Sequence, residues 1–107
     1  MFGKMFDIMG KLEDAKKNVE EARKRLDHVL IDAQAGNGMV KVSVTGNRQL
    51  KSLEIADEAM QDREMLEDYL MIALNKALEE AGKIQETELK KAATDALPNI
   101  PGLDGLI

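Results

Sequence analysis

The chain has no cysteine and no tryptophan, and only one histidine, one tyrosine, two phenylalanines and two prolines in 107 residues. Without cysteine there is no disulfide and no thiolate metal site, a composition that fits a reducing compartment and makes the cytoplasm the expected location. The lone His28 stands between a helical and a strand-like stretch with no spaced partner, which excludes a histidine metal pair or a Cys-His nucleophile and leaves a surface or capping role. The glycine-containing stretches Gly36-Asn37-Gly38 and Gly46-Asn47 do not open a helix, so neither matches a phosphate-binding or dinucleotide-binding loop. Acidic neighbours such as Glu67-Asp68 point to different faces of a helix and form no acid-base dyad. Seven methionines take core or seam positions, where they fill gaps rather than bind a ligand. The start, Met1-Phe2-Gly3-Lys4-Met5-Phe6-Asp7, lacks the unbroken apolar run of a secretory signal, and no window reaches the length of a membrane span. The expectation is a non-enzymatic protein with no cofactor, metal, small-molecule substrate or membrane partner.

What is present divides by periodicity. From Leu30 to Ile55 helical spacing stops, and Val40, Val42 and Val44 alternate with Lys41, Ser43 and Thr45. Gly36, Asn37 and Gly38 supply residues suited to positive φ before that run, and Gly46-Asn47 opens a second turn after it. Two linked hairpins, and so three short antiparallel strands, follow. Such a sheet needs a helix over its valine face to be stable. Leu50, Leu53 and Ile55 cannot share a face under strict alternation. Either a bulge near Lys51-Ser52 or a strand covered on both faces resolves the conflict, and the second, which a dimer through the sheet would supply, is the preferred expectation.

On either side the pattern is helical. Met5, Leu12, Val19 and Leu26 repeat every seven residues, as do Ile8, Ala15, Ala22 and Val29, giving a two-line seam. Lys11 to Asp27 has neither Gly nor Pro, and Glu13-Lys17, Glu20-Lys24 and Glu21-Arg25 are favourably oriented pairs. Gly10 weakens the first turns, so residues 1–9 are expected to fray or to form a separate turn. After a short link at 56–61, which has room for one helical turn, Asp62 fits as an N-cap and Glu64 suits the first turn of a second long helix ending before Pro98. Its beginning, Met65 to Leu74, is apolar nearly all round and predicts burial against both the sheet and another chain. From Ala77 the stripe narrows to Leu78, Ala81, Gln85, Leu89, Ala92 and Ala96, the pattern of a coiled-coil arm. The expected fold is α+β in a single domain over 1–107: an arm helix at about 2–28, strands within about 29–55, a helix at about 62–96 and an irregular tail at 97–107.

The formal net charge of −5 argues against a generally basic surface, but the first 31 residues hold seven Lys or Arg against six Asp or Glu. On the first helix the acidic residues are expected along one edge of the seam, with Lys16, Lys17, Arg23, Lys24 and Arg25 on the opposite edge and outer face. That arrangement is either an ordinary solvated surface or a stripe that tracks duplex phosphates and releases their counterions. Lys83, Lys90 and Lys91 extend the same possibility to the second helix, interleaved there with glutamates. Leu50, Leu53, Met65, Tyr69, Leu70 and Ile72 are the candidate dimer-interface residues.

Several segments together resemble the YbaB/EbfC nucleoid-associated DNA-binding proteins of bacteria. They are Met1-Phe2-Gly3, the run from Ala35 to Asn47, Leu53-Glu54-Ile55, Glu64-Met65-Leu66-Glu67-Asp68, Asn75-Lys76-Ala77 and Pro101-Gly102-Leu103. The resemblance implies a helix, three strands and a long helix, paired through the sheet into a homodimer whose helical arms project like tweezers, and association with the nucleoid. This chain departs from the family's usual pattern in a more highly charged first helix and in Ala56, where a proline is usual. Two functions of different class follow. One is a homodimer binding double-stranded DNA through its basic arms. The other is a protein-interaction adaptor whose coiled-coil arms clamp another protein, a reading favoured by the low net basicity and the scarcity of aromatics for base stacking.

Overall fold

The computed structural model describes residues 2–96, with side chains from Met5 onward. The elements run α1 (Phe2–Leu26), β1 (Leu30–Ala35), β2 (Val40–Thr45), β3 (Leu50–Ile55), α2 (Asp57–Met60) and α3 (Arg63–Ala96). This is the α+β order expected. The tail expected at 97–107 lies outside the described residues, as does Met1.

The three strands form an antiparallel sheet in the order β1-β2-β3. Gly36, Asn37 and Gly38 all adopt positive φ, as the turn between β1 and β2 requires. In the second turn the positive φ falls on Arg48, and Gly46 is there for a different reason. A Cβ at Gly46 would lie 2.8 Å from Leu26 Cδ2 and 2.9 Å from Leu26 O. Only a glycine lets the turn approach the end of α1 so closely.

Ser43 pairs with Ser52 but Val44 pairs with Leu50, so Lys51 is the extra residue of a bulge. Leu50, Leu53 and Ile55 thereby stand opposite Val44, Val42 and Val40, and all three project on the valine face. The bulge alone settles the register, and the preferred expectation of a strand covered on both faces is not needed to explain it. On the other face Ser43 donates a hydrogen bond across the sheet to Asp32.

The core lies between this face and α3. Ile31, Ala35, Val40, Val42 and Val44 pack against Ala73, Ala77 and Ala81, all buried, with Leu66, Tyr69, Leu70 and Leu74 at the margins. The four-residue spacing of the alanines gives α3 a smooth ridge, which lets its axis settle close to the sheet. That ridge covers β1 and β2 and stops short of β3. Leu50 and Leu53 are consequently 51% and 43% exposed although they share the covered face of their neighbours.

Asp62 caps α3 as its sequence position implies, its Oδ1 accepting a hydrogen bond from the Met65 amide at 3.1 Å. The link before it holds the single turn α2. At the other end of the chain, α1 runs unbroken through Gly10, against the expectation of a frayed or separate first segment. One glycine costs a helix interior only about 1 kcal/mol, less than 25 continuous residues recover. Its C-terminus comes at Leu26 rather than near 28, because the His28 and Val29 amides bond to Arg25 O and Leu26 O and turn the chain toward β1. Val29 therefore does not join the seam. Of that seam Ala15, Ala22 and Leu26 are buried, whereas Met5, Ile8 and Leu12 are exposed.

Candidate nucleic-acid interface

The part of the molecule that projects beyond the sheet is a pair of helices. Asn18 Nδ2 donates to Ala92 O at 3.4 Å, and the C-terminal turn of α1 is tied through Asn47 to Gln85. Moving toward the start of α1 thus advances along α3, so the helices are antiparallel. The longest dimension of the molecule is 71 Å, against 24 and 16 Å in the others.

The root of this arm is held by one side chain. Asn47 Nδ2 donates to Arg23 O at 2.7 Å and to Asp27 Oδ1 at 2.5 Å, while its Oδ1 accepts from Gln85 Nε2 at 3.3 Å. Both donors and the acceptor of the amide are used, and the turn between β2 and β3 is thereby fastened to both helices. In the sequence Asn47 reads only as a turn residue. The signal for more is Gln85, a polar side chain inside an otherwise apolar and small stripe.

Lys16, Lys17, Arg23, Lys24 and Arg25 are all exposed on α1, and Lys83, Lys90 and Lys91 on α3. By the antiparallel register Lys90 and Lys91 share a level of the arm with the α1 cations, whereas Lys83 sits nearer the sheet and contacts Glu79 at 3.7 Å. The expected sorting of α1 charges by side is not what a continuous helix gives. At about 100° per residue, Lys16 and Arg23 form one row and Lys17 and Lys24 the next, with Glu13 and Glu20 between them. Arg25 falls near the row of Asp14 and Glu21, and lines a shallow groove with Glu21 and Asp95. Nor do the three expected i,i+4 ion pairs of α1 form. Among the described residues the ion pairs are Arg63–Glu67 and Lys83–Glu79, both on α3. Exposed pairs gain too little over hydration to hold two long side chains in one geometry.

The candidate interface residues fall into two groups. Leu50 and Leu53 stand side by side on the open part of the valine face, and Ile72 is 51% exposed on α3. Met65 is half-buried. Tyr69 and Leu70 pack instead against the protomer's own core, the Tyr69 ring lying over Gly36 so closely that no Cβ fits there. Met71, also exposed, is an apolar residue of the same stretch that the candidate set omits. Among the described residues no group of three His, Cys, Asp or Glu side chains could hold a metal ion, and no helix is long and apolar enough to cross a membrane.

Known proteins resemble this chain in sequence and fold. A nucleoid-associated protein of Flavobacterium johnsoniae is 45% identical over 102 residues, covering 95% of this chain and 96% of that one. One from Chlorobium phaeovibrioides is 39% identical over 87 residues, covering 81% and 80%. The crystal structure of an uncharacterized protein from Helicobacter pylori superposes with a TM-score of 0.73 at 29% identity, over 75% of this chain and 86% of that one. The model of the YbaB/EbfC DNA-binding family matches residues 1–96, which takes in α1, the whole sheet and α3. These relatives are a family of DNA-binding proteins and not of enzymes, and the chain belongs to it: it is a member of the YbaB/EbfC DNA-binding family.

Proposed function

We propose that this protein is a homodimeric, nucleoid-associated protein of the cytoplasm that grips the phosphates of double-stranded DNA through the basic side chains of its arms. The observation that carries the reading is the arm itself. Two antiparallel helices project from the sheet with Lys16, Lys17, Arg23, Lys24 and Arg25 exposed on α1, and none of these five is within ion-pair distance of a carboxylate among the described residues. Such cations are available to phosphate at no cost of breaking an internal pair. Glutamates between the basic rows keep the grip local and independent of sequence, because phosphate contacts position a protein without reading bases.

The dimer rests on the open valine face. Leu50 and Leu53 continue a surface that is buried on β1 and β2, and Met71 and Ile72 add exposed apolar area on α3. An apolar stretch of this kind on a chain of 107 residues is best covered by a second copy. Sedimentation of the purified protein at micromolar concentration should show the dimer and no monomer.

One observation favours the adaptor reading, namely the acidic residues interleaved with the basic rows. A salt titration of duplex binding decides between the two. If each arm of the dimer engages two to four phosphates, the plot of log affinity against log salt has a slope of roughly −4 to −7. An adaptor forms no complex with DNA at any salt concentration.

A further inference from the structure

The seam of α1 outruns its partner. Asn18 lies against Ala92 and the Arg23–Asp27 turn against Gln85, so Ala96 stands opposite about residue 14 of α1. Burial stops at the same level on both helices, at Ala15 and at Ala92. Beyond it Met5, Ile8, Met9 and Leu12 continue the line of Ala15, Val19, Ala22 and Leu26, and all four are exposed. Their i, i+3, i+4, i+7 spacing is that of a helix face meant to be covered.

We propose that the segment 97–107 of the same chain folds back along α1 and covers this stripe. The segment begins where α3 stops beside α1, and it carries Leu97, Ile100, Leu103, Leu106 and Ile107 with Asp104 as its one charged side chain. Pro98 and Pro101 prevent α3 from simply continuing, while an extended chain places apolar side chains where a helix would not. The lengths agree. Residues 2–13 of α1 span about 18 Å, and 11 extended residues reach up to about 36 Å, enough to run the full stripe with slack for the turn at Pro98. A second copy of the chain is the competing occupant, and the test separates the two.

The absence of native cysteine makes the test direct, since any disulfide formed is the one introduced. In the full-length chain, Ile8→Cys with Leu103→Cys is equilibrated in a glutathione buffer beside a control, Phe6→Cys with Leu103→Cys. Phe6 is exposed at the same level but on nearly the opposite side of α1. A docked segment forms the disulfide within one chain at least about tenfold more readily in the Ile8→Cys pair than in the Phe6→Cys pair, because only the stripe brings the sulfurs within bonding geometry. Equal formation in both pairs, or a bond between chains, overturns the proposal. A second measurement needs no cysteine. Truncation after Ala96 should speed amide exchange at residues 5–12 at least about fivefold and leave residues 15–26 unchanged. Identical exchange in the full and truncated chains overturns it equally.

Discussion

Gly46→Ala isolates the packing of the arm against the sheet. The new methyl would sit 2.8 Å from Leu26 Cδ2, 2.9 Å from Leu26 O and 3.1 Å from Leu26 Cβ. The side chain can swing aside, but the carbonyl cannot, because it accepts the Gly46 amide at 2.9 Å. Relief therefore requires α1 to back away from the turn, which strains the bonds of Asn47 to Arg23 and Asp27 in the same step. Overpacking of this kind costs about 1 to 3 kcal/mol. In a domain of this size each kcal/mol lowers Tm by roughly 4 to 8 °C, so a fall of about 4 to 20 °C is expected. Thermal melts should be compared at equal protomer concentration, since dimerisation makes Tm depend on it. Gly10→Ala is the counterpart. Nothing lies within 4 Å of its would-be Cβ, so only helix propensity changes, and α1 should gain about 0.5 to 1 kcal/mol of local stability in amide exchange. A Gly46→Ala variant that melts with the wild type would refute the close approach of turn and helix.

Three other substitutions probe the core, the clasp and the cap. Val42→Asp places a charge on the central strand where the side chain is 2% exposed, and it should abolish the cooperative melt; a retained transition would mean that this face is open. Asn47→Ala leaves Gln85 and the carboxylate of Asp27 without their partner and should cost about 1 to 3 kcal/mol, read by urea unfolding, with wider distance distributions between spin labels on α1 and α3; an unchanged distribution would show that the arm's geometry does not depend on this residue. Asp62→Ala removes the N-cap of α3 and should cost about 1 kcal/mol by the same denaturation measurement, whereas a cost near zero would deny the cap its role.

The elements themselves are legible in the sequence, because period-two and period-seven stretches are separated cleanly by glycine turns and by Asp62. Three features are not. The bulge at Lys51 is one of two solutions to a register conflict, and only strand pairing distinguishes them. The charges of α1 fall on other sides than their grouping along the chain suggests, because rotation about a continuous helix axis interleaves Glu13 and Glu20 with the lysines. Asn47 is visible as a turn former but not as a clasp, since its three partners, Arg23, Asp27 and Gln85, lie up to 38 residues away. Gly46 shows the same limit. A turn glycine reads alike in sequence whether φ or a neighbouring helix demands it.

The central claim is that the arm cations touch phosphate. Replacing Lys16, Lys17, Arg23 and Lys24 together by Gln removes that charge while keeping helix propensity, so circular dichroism and the sedimentation of the dimer should match the wild type. Duplex affinity should then fall alike for unrelated DNA sequences, and the salt slope should shrink by roughly one unit for each phosphate no longer neutralised. The same replacement at Lys83, Lys90 and Lys91 should have the smaller effect, since Lys83 lies toward the sheet beside Glu79. Unchanged affinity and slope in a folded, dimeric four-fold variant would contradict phosphate binding by α1 and leave the adaptor as the better account.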